Sequence, residues 1–215
     1  MRRLRWLALL AAAGAGCVST DDERLRDYTA DGVLLYEHGA YDGARQTFEA
    51  ALAMRPGDAN LTYDLAQCHD RLGDAARAEE LYRQCLQSSP DHAEAMHALT
   101  ALLVRTNRRP EAGRLVDDWM HRSPNSAAAY AEYGWLCRRD RDLPQALSAC
   151  QHAYELDSHD VRALAELAQC YEAMNRPDRA LTLYERSLQY QPEQPEVMQR
   201  VSRLKEQGAG RPHPD

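Results

Sequence analysis

The stretch RAEELYRQCLQSSP, residues 77–90, decides the fold because its pattern returns 102 residues later as RALTLYERSLQYQP, residues 179–192. The matching positions are Ala78 with Ala180, Tyr82 with Tyr184, Leu86 with Leu188, and Pro90 with Pro192. An offset of 102 is three times 34, and a shift of 34 aligns five units without a gap. These units are 25–58, 59–92, 93–126, 127–160 and 161–194. The chain is therefore predicted to repeat one structural unit five times.

Each unit is predicted to hold two amphipathic helices, because apolar residues recur at spacings of three and four, as at Leu61, Leu65 and Cys68. Position 20 is alanine in every unit, and position 8 holds Gly32, Ala66, Thr100, Gly134 and Ala168. Small side chains at these positions would let two helices approach closely. Gly39, Gly73, Asn107 and Asn175 occupy position 15, where a left-handed residue can end the first helix. Arg141 occupies it in the fourth unit and is not suited to that conformation.

A 34-residue helix-turn-helix unit of this pattern resembles the tetratricopeptide repeat (TPR), and the resemblance covers residues 25–194. It implies an all-α fold, a right-handed α-solenoid of five repeats. Residues 195–207 are predicted to form a capping helix over the last repeat, and residues 208–215 a disordered tail. Trp119 occupies a position that is usually small. Either Gly134 in the next unit makes room for it or Trp119 simply fills the core.

The first residues, MRRLRWLALLAAAGAGC, combine three arginines with an apolar run that ends in small residues. This pattern is typical of a secretion signal and is short for a membrane-spanning helix. The GAGC sequence resembles a bacterial lipobox, although Gly14 replaces the usual leucine. We therefore expect a signal peptide over residues 1–16, lipidation at Cys17, and a tether over residues 17–24. Ordinary cleavage after a residue such as Ala15 is the alternative.

Composition and motifs favour a binding protein over an enzyme. The formal net charge of −7 argues against a nucleic-acid surface, which requires positive charge. No catalytic, phosphate-binding or metal-ligand motif is present in the sequence, so neither a cofactor, a metal nor a small-molecule substrate is expected. Cys68, Cys85, Cys137, Cys150 and Cys170 fall on helix positions that suit small or apolar residues. Buried thiols are expected, with one bridge, such as Cys137 to Cys150, as the alternative; a thiol-redox or metal-handling role is the rival function.

The resemblance also implies that the first helix of each repeat lines a concave groove for a peptide or protein partner. The groove positions that combine aromatic and basic residues are Tyr63, Arg71, His97, Arg105, Trp135, Arg138 and Arg139. Aromatic residues and arginine dominate interface hot spots, so these seven are the predicted partner site. Trp135 is expected to be exposed, and the arginines could instead complement the helix dipoles. The predicted role is an envelope scaffold, anchored preferably to the outer membrane and facing the periplasm, that serves pilus or envelope assembly or acts as an enzyme adaptor.

Overall fold

The structure, a computed structural model, describes residues 20–210, and this part of the chain contains eleven α-helices and no strand. The helices are α1 (Thr20–Glu37), α2 (Tyr41–Met54), α3 (Ala59–Arg71), α4 (Ala75–Ser88), α5 (Ala93–Arg105), α6 (Arg109–Arg122), α7 (Ala127–Arg139), α8 (Leu143–Leu156), α9 (Val161–Ala173), α10 (Pro177–Tyr190) and α11 (Pro195–Glu206). Helices α1 to α10 form five pairs, one pair in each 34-residue unit, and each pair packs against the next. The predicted all-α solenoid is confirmed.

All five residues at position 15 adopt the left-handed conformation that ends the first helix of a pair. Their φ angles are 75° at Gly39, 83° at Gly73, 61° at Asn107, 65° at Arg141 and 57° at Asn175. The next residue donates its amide hydrogen to the carbonyl five residues back, as Asp142 does to Cys137 at 2.9 Å. This bond belongs to the Schellman motif that closes a helix end. The expectation that Arg141 would not take this conformation was wrong, because the closing bond holds the backbone there.

The small residues sit where two helices approach most closely. Gly134 faces α8, and a Cβ placed on it would lie 2.3 Å from the Cys150 Sγ. Gly134 therefore makes room for Cys150, and the suggestion that it accommodates Trp119 was wrong. Trp119 is buried against Met96 and Ala129, and its Nε1 donates a hydrogen bond to Asp91 Oδ1 at 3.1 Å.

Repeat three departs from the regular stack. Its position 27 holds Trp119, whereas the same position in the other repeats holds Ala51, Cys85, Ala153 and Ser187, all buried. Because an indole replaces a small side chain, α6 packs less extensively against α5 than the second helix of any other repeat packs against its first. Next to this irregularity, α7 contacts both α5 and α9 directly. The first helices are thus drawn together in the second half of the stack.

Helix α11 covers the last repeat, with Val197, Val201 and Leu204 packed into the same cluster as Leu181 and Tyr184. The predicted disorder of the tail is wrong for residues 208–210, which turn back onto the stack. There Ala209 is buried, and the Gly210 amide donates to Asp178 Oδ1 at 2.7 Å. Residues 211–215 lie outside the described residues.

At the other end of the stack, α1 begins at Thr20, so residues 20–24 of the predicted tether are helical. The predicted signal peptide and Cys17 lie outside the described residues. Within residues 20–210, no helix has the length and apolar character needed to cross a membrane.

Candidate binding groove

Trp135, expected to be exposed in the groove, is only 6% exposed and belongs to the core that continues from repeats one to three. The edge of its ring meets the His97 ring at a centroid distance of 5.2 Å, and the Arg139 guanidinium lies 4.9 Å from the indole centroid. The expected exposure was wrong because α7 is flanked directly by α5 and α9. The middle of the groove is therefore filled by the protein's own side chains.

A buried carboxylate completes this closure. Glu132 of α7 is fully buried and contacts His97 of α5, whose Nδ1 lies 3.1 Å from Glu132 Oε2, and Arg162 of α9, whose Nη2 donates to the same oxygen. Burial by itself would raise the pKa of the Glu132 carboxyl, but the charge of Arg162 and the bond to His97 outweigh it and lower this pKa. Three consecutive first helices are thereby joined through one carboxylate, which we call the Glu132 junction.

The predicted arginines already have partners inside the protein. Arg105 pairs with Asp70, Arg138 Nη2 donates to Glu166 Oε2 at 2.8 Å, and Arg71 Nε donates to the Tyr36 hydroxyl at 3.0 Å. The charges of Arg105 and Arg138 are therefore paired with carboxylates, whereas Arg71 donates to a hydroxyl group and keeps its charge.

A simple rule of position explains this pairing. The arginine at position 13 of one repeat reaches position 12 of the repeat before it, 35 residues earlier, as in Arg71 with Tyr36 and Arg105 with Asp70. The rule fails at Arg139, whose counterpart Val104 carries no polar side-chain atom. Arg139 instead stacks on Trp135.

Tyr63, the remaining predicted contact, is half-buried between repeats. Its ring lies 6.0 Å from that of Tyr82 and 5.1 Å from that of His92, and its hydroxyl accepts a hydrogen bond from Gln67 Nε2. Burial raises the pKa of Tyr63 to about 12, so the hydroxyl is neutral at physiological pH. The packing of the Tyr63 ring against Tyr82 and His92 therefore stabilises the stack.

An open cavity of about 640 Å³ lies between α1 and α3, and we call it the N-terminal cavity. Leu34 and Val33 on its wall are 53% and 41% exposed, which is unusual for large apolar side chains in this chain. The lining residues are Leu25, Arg26, Thr29, Ala30, Val33, Leu34, Glu37, Arg55, Asp58, Asn60, Leu61 and Asp64. This cavity offers an apolar surface that the described residues leave uncovered.

Asp64 is an acid of the N-terminal cavity whose environment raises its pKa. Burial and, to a lesser extent, the neighbouring charge of Asp58 raise the pKa of Asp64 from 3.8 to about 6. Within residues 20–210, neither a hydrogen bond nor an ion pair reaches its carboxylate. By contrast, the Asp58 carboxylate caps α3 and accepts from the amides of Asn60 and Leu61. Asp64 is therefore a half-buried charge in need of a donor.

A second cavity of about 580 Å³ lies beyond the Glu132 junction, along α9 and α11. Three carboxamide side chains, those of Gln169, Gln191 and Gln194, line it together with Arg162 and Arg200. Gln194 is committed to α10, because its Nε2 donates to the Ser187 and Gln191 carbonyl oxygens. Arg200 is held by Glu172 at 2.9 Å. Gln194 and Arg200 are thus both engaged within the protein.

The five cysteines among residues 20–210 are all buried, as the sequence predicted, and their thiols are free in the structure. Burial raises the pKa of Cys68 to about 12 and that of Cys85 to about 11, so both remain unreactive thiols at neutral pH. Among residues 20–210, no group of three or more His, Cys, Asp or Glu side chains is arranged to hold a metal ion.

Sequence reasoning missed both Asp64 and the Glu132 junction. One signal was available, because position 6 carries a carboxylate in three repeats, at Asp64, Glu132 and Glu166. Their different environments could not be read from this recurrence. Glu132 and Glu166 have arginine partners on neighbouring helices, whereas Asp64 has none in the described part of the chain.

Sequence models described as tetratricopeptide repeat match residues 29–93 in one case and residues 71–132 and 138–203 in another. The chain belongs to the tetratricopeptide repeat family. A TPR stack is compatible with protein–protein binding, because repeat stacking produces an extended surface.

Three curated relatives illustrate how widely the TPR sequence is shared. The Caenorhabditis elegans tetratricopeptide repeat-containing protein trd-1 is 22% identical over 152 residues, 70% of this chain and 20% of that protein. Human protein O-mannosyl-transferase TMTC3 is 25% identical over 77% of this chain and 19% of its own length. The Pseudomonas aeruginosa TPR repeat-containing protein PA4667 is 27% identical over 66% of this chain and 24% of its own length. The chain thus spans about a fifth of the length of these relatives.

Solved structures share the TPR fold at low identity. TTC0263, a thermophilic TPR protein of Thermus thermophilus, has a TM-score of 0.65 and 23% identity, covering 84% of this chain and 98% of that one. PilF of Pseudomonas aeruginosa has a TM-score of 0.56 and 18% identity, and the match covers 87% of this chain and 86% of PilF. At these identities the likeness shows the fold alone.

Proposed function

We propose that this protein is a non-enzymatic TPR scaffold, anchored to a membrane of the bacterial cell envelope by a lipid on Cys17, that binds a peptide or protein segment in its groove. The observation that carries the binding role is the N-terminal cavity, where exposed Leu34 and Val33 lie beside Asp64, which has no partner among residues 20–210. Exposed apolar side chains grouped around a cavity are typical of an interaction site.

The composition of this cavity suggests the chemistry of the partner segment. An apolar side chain of the partner would cover Leu34 and Val33, and a cation or amide donor would reach Asp64. A half-buried carboxylate gains most from a charged donor, because such bonds are roughly twice as strong as neutral ones. We therefore favour a segment that carries a lysine or arginine next to an apolar residue.

The proposed anchor sets where this binding takes place. Helix α1 begins at Thr20, three residues after Cys17, and it forms one wall of the N-terminal cavity. Lipidation at Cys17 would hold the cavity close to the membrane surface, with the outer membrane facing the periplasm as the preferred location. Assembly of pili or other envelope machinery is the role we propose for such a scaffold, with an enzyme adaptor as the other form of the same binding function.

The groove is tested by capturing partners from envelope extracts with the wild type and with Val33→Asp. This variant places a charge on the apolar wall at a position already exposed, so folding should be unaffected and capture lost. Leu72→Asp is the matched control, because Leu72 is 40% exposed in the turn after α3, away from the cavity. Equal loss in both variants, or retention in Val33→Asp, would exclude the N-terminal cavity as the site.

The anchor is tested separately by membrane fractionation. Wild-type protein should sediment with membranes, and Cys17→Ser should remain unprocessed or become soluble. If both forms fractionate as the same soluble mature protein, the lipid anchor is refuted while the groove proposal stands.

A further inference from the structure

Three of the five buried cysteines lie in one cluster between repeats four and five. Cys137 of α7, Cys150 of α8 and Cys170 of α9 share it with Leu167 and Ala146. The Sγ atoms of Cys150 and Cys170 are 3.9 Å apart, in contact across the interface between the two repeats. Cys137 directs its own thiol toward Gln145 Oε1 at 3.6 Å.

We propose that Cys150 and Cys170 are a site of disulfide formation that joins repeat four covalently to repeat five. The oxidant is a small-molecule disulfide of the glutathione type. One cysteine thiolate attacks it, forming a mixed disulfide and releasing one thiol, and the second cysteine then displaces the other half. The pair loses two electrons and two protons, and the oxidant is reduced to two thiols.

The geometry favours this pair over the others. Bringing the two sulfurs from 3.9 Å to a bonding distance of about 2.05 Å requires a closure of roughly 2 Å, within reach of side-chain rotation and a small helix shift. Cys68 and Cys85 belong to the separate core of the first three repeats.

The effect of the bridge follows from its position. It closes a loop of about 20 residues, which limits the unfolded chain and so stabilises the folded one. Repeats at the end of a stack open more readily than those at its centre, since they have one neighbour fewer. The bridge would keep the fifth repeat and α11 attached to the rest of the stack.

Access of the oxidant sets the rate of the reaction. Both thiols are fully buried, so exchange requires the interface between α8 and α9 to open or to be still unformed. The bridge should therefore form slowly in the folded protein and quickly during refolding.

The experiment refolds the full chain carrying Cys17→Ser from denaturant in a mixture of reduced and oxidised glutathione, followed by alkylation and peptide mapping. We expect the mass of the chain to fall by two hydrogen atoms. Mapping should find a single link, which joins the peptides that contain Cys150 and Cys170, and should find Cys68, Cys85 and Cys137 alkylated. Under the same conditions Tm should exceed that of the reduced protein by about 5 °C or more.

Two variants provide the controls. Cys170→Ser should abolish the link and the rise in Tm, whereas Cys68→Ser should keep both. The proposal is overturned if the Cys17→Ser chain retains five free thiols after refolding, if the link involves Cys137, or if several pairings occur in equal amounts. Because mapping of the chain with all five thiols decides the pairing, the result does not depend on whether a variant folds.

Discussion

Replacing Asp64 by asparagine should stabilise the protein at neutral pH. The folded-state pKa of about 6 lies above the ordinary value of 3.8, so the folded chain holds this proton more tightly than the unfolded chain does. Asp64 therefore leaves the free energy of unfolding unchanged below about pH 4. As the pH rises from about 4 to about 6, ionisation of this carboxyl lowers the free energy of unfolding increasingly. The rise in the pKa of Asp64 from 3.8 to about 6 corresponds to a loss of roughly 3 kcal/mol of stability, which partial solvent access reduces to about 1–2 kcal/mol.

Thermal unfolding of the wild type and Asp64→Asn, followed by circular dichroism at several pH values, measures this effect. At pH 7 the variant should have a Tm higher by about 2–6 °C, and at pH 4 the two should coincide. Asp70→Asn is the control, because Asp70 lies on the same helix but is paired with Arg105, so its replacement should bring no gain. A difference that is absent at pH 7, or equal at both pH values, would refute the account of Asp64 as an unpaired charge.

Two further predictions concern the stack itself. Trp135→Ala should lower the free energy of unfolding by about 3 kcal/mol or more, because it opens a cavity in a buried cluster; a folded variant of unchanged stability would contradict the burial of this side chain. Deletion of residues 195–215 should expose the apolar face of repeat five, lower Tm and promote aggregation seen by light scattering, whereas deletion of residues 211–215 should change neither. Equal behaviour of the two deletions would refute the capping role of α11.

The sequence was sufficient to predict the solenoid because its signals are local and recur. A 34-residue period, an alanine at position 20 and a helix-ending residue at position 15 each follow from the chemistry of one unit and its neighbour. Arg141 shows how far residue preference extends, since a closing hydrogen bond imposed a conformation that arginine alone disfavours. The preference of a residue for one backbone conformation is outweighed where hydrogen bonds of the neighbouring backbone stabilise another conformation.

The candidate site was less predictable because it depends on departures from regularity. Trp135 lies at a position that faces the groove in an even stack, but the neighbouring repeat carries Trp119 where others carry a small residue, and α7 is buried between α5 and α9. The charge of a side chain is visible in the sequence, whereas its pairing is not. Asp64 and Glu132 occupy the same repeat position, and only the three-dimensional arrangement of residues 20–210 shows that the second has an arginine partner there and the first has none.

Photo-crosslinking in cells tests the binding role of the N-terminal cavity most directly. A photoreactive amino acid placed at Leu34 on the cavity wall, or at Leu72 in the turn after α3, reports what lies against each position in intact cells. We predict one discrete protein adduct from position 34 that disappears when Val33→Asp is added, and no such adduct from position 72. An adduct from position 72 alone, or none from position 34 in cells that express the folded protein, would contradict the central claim.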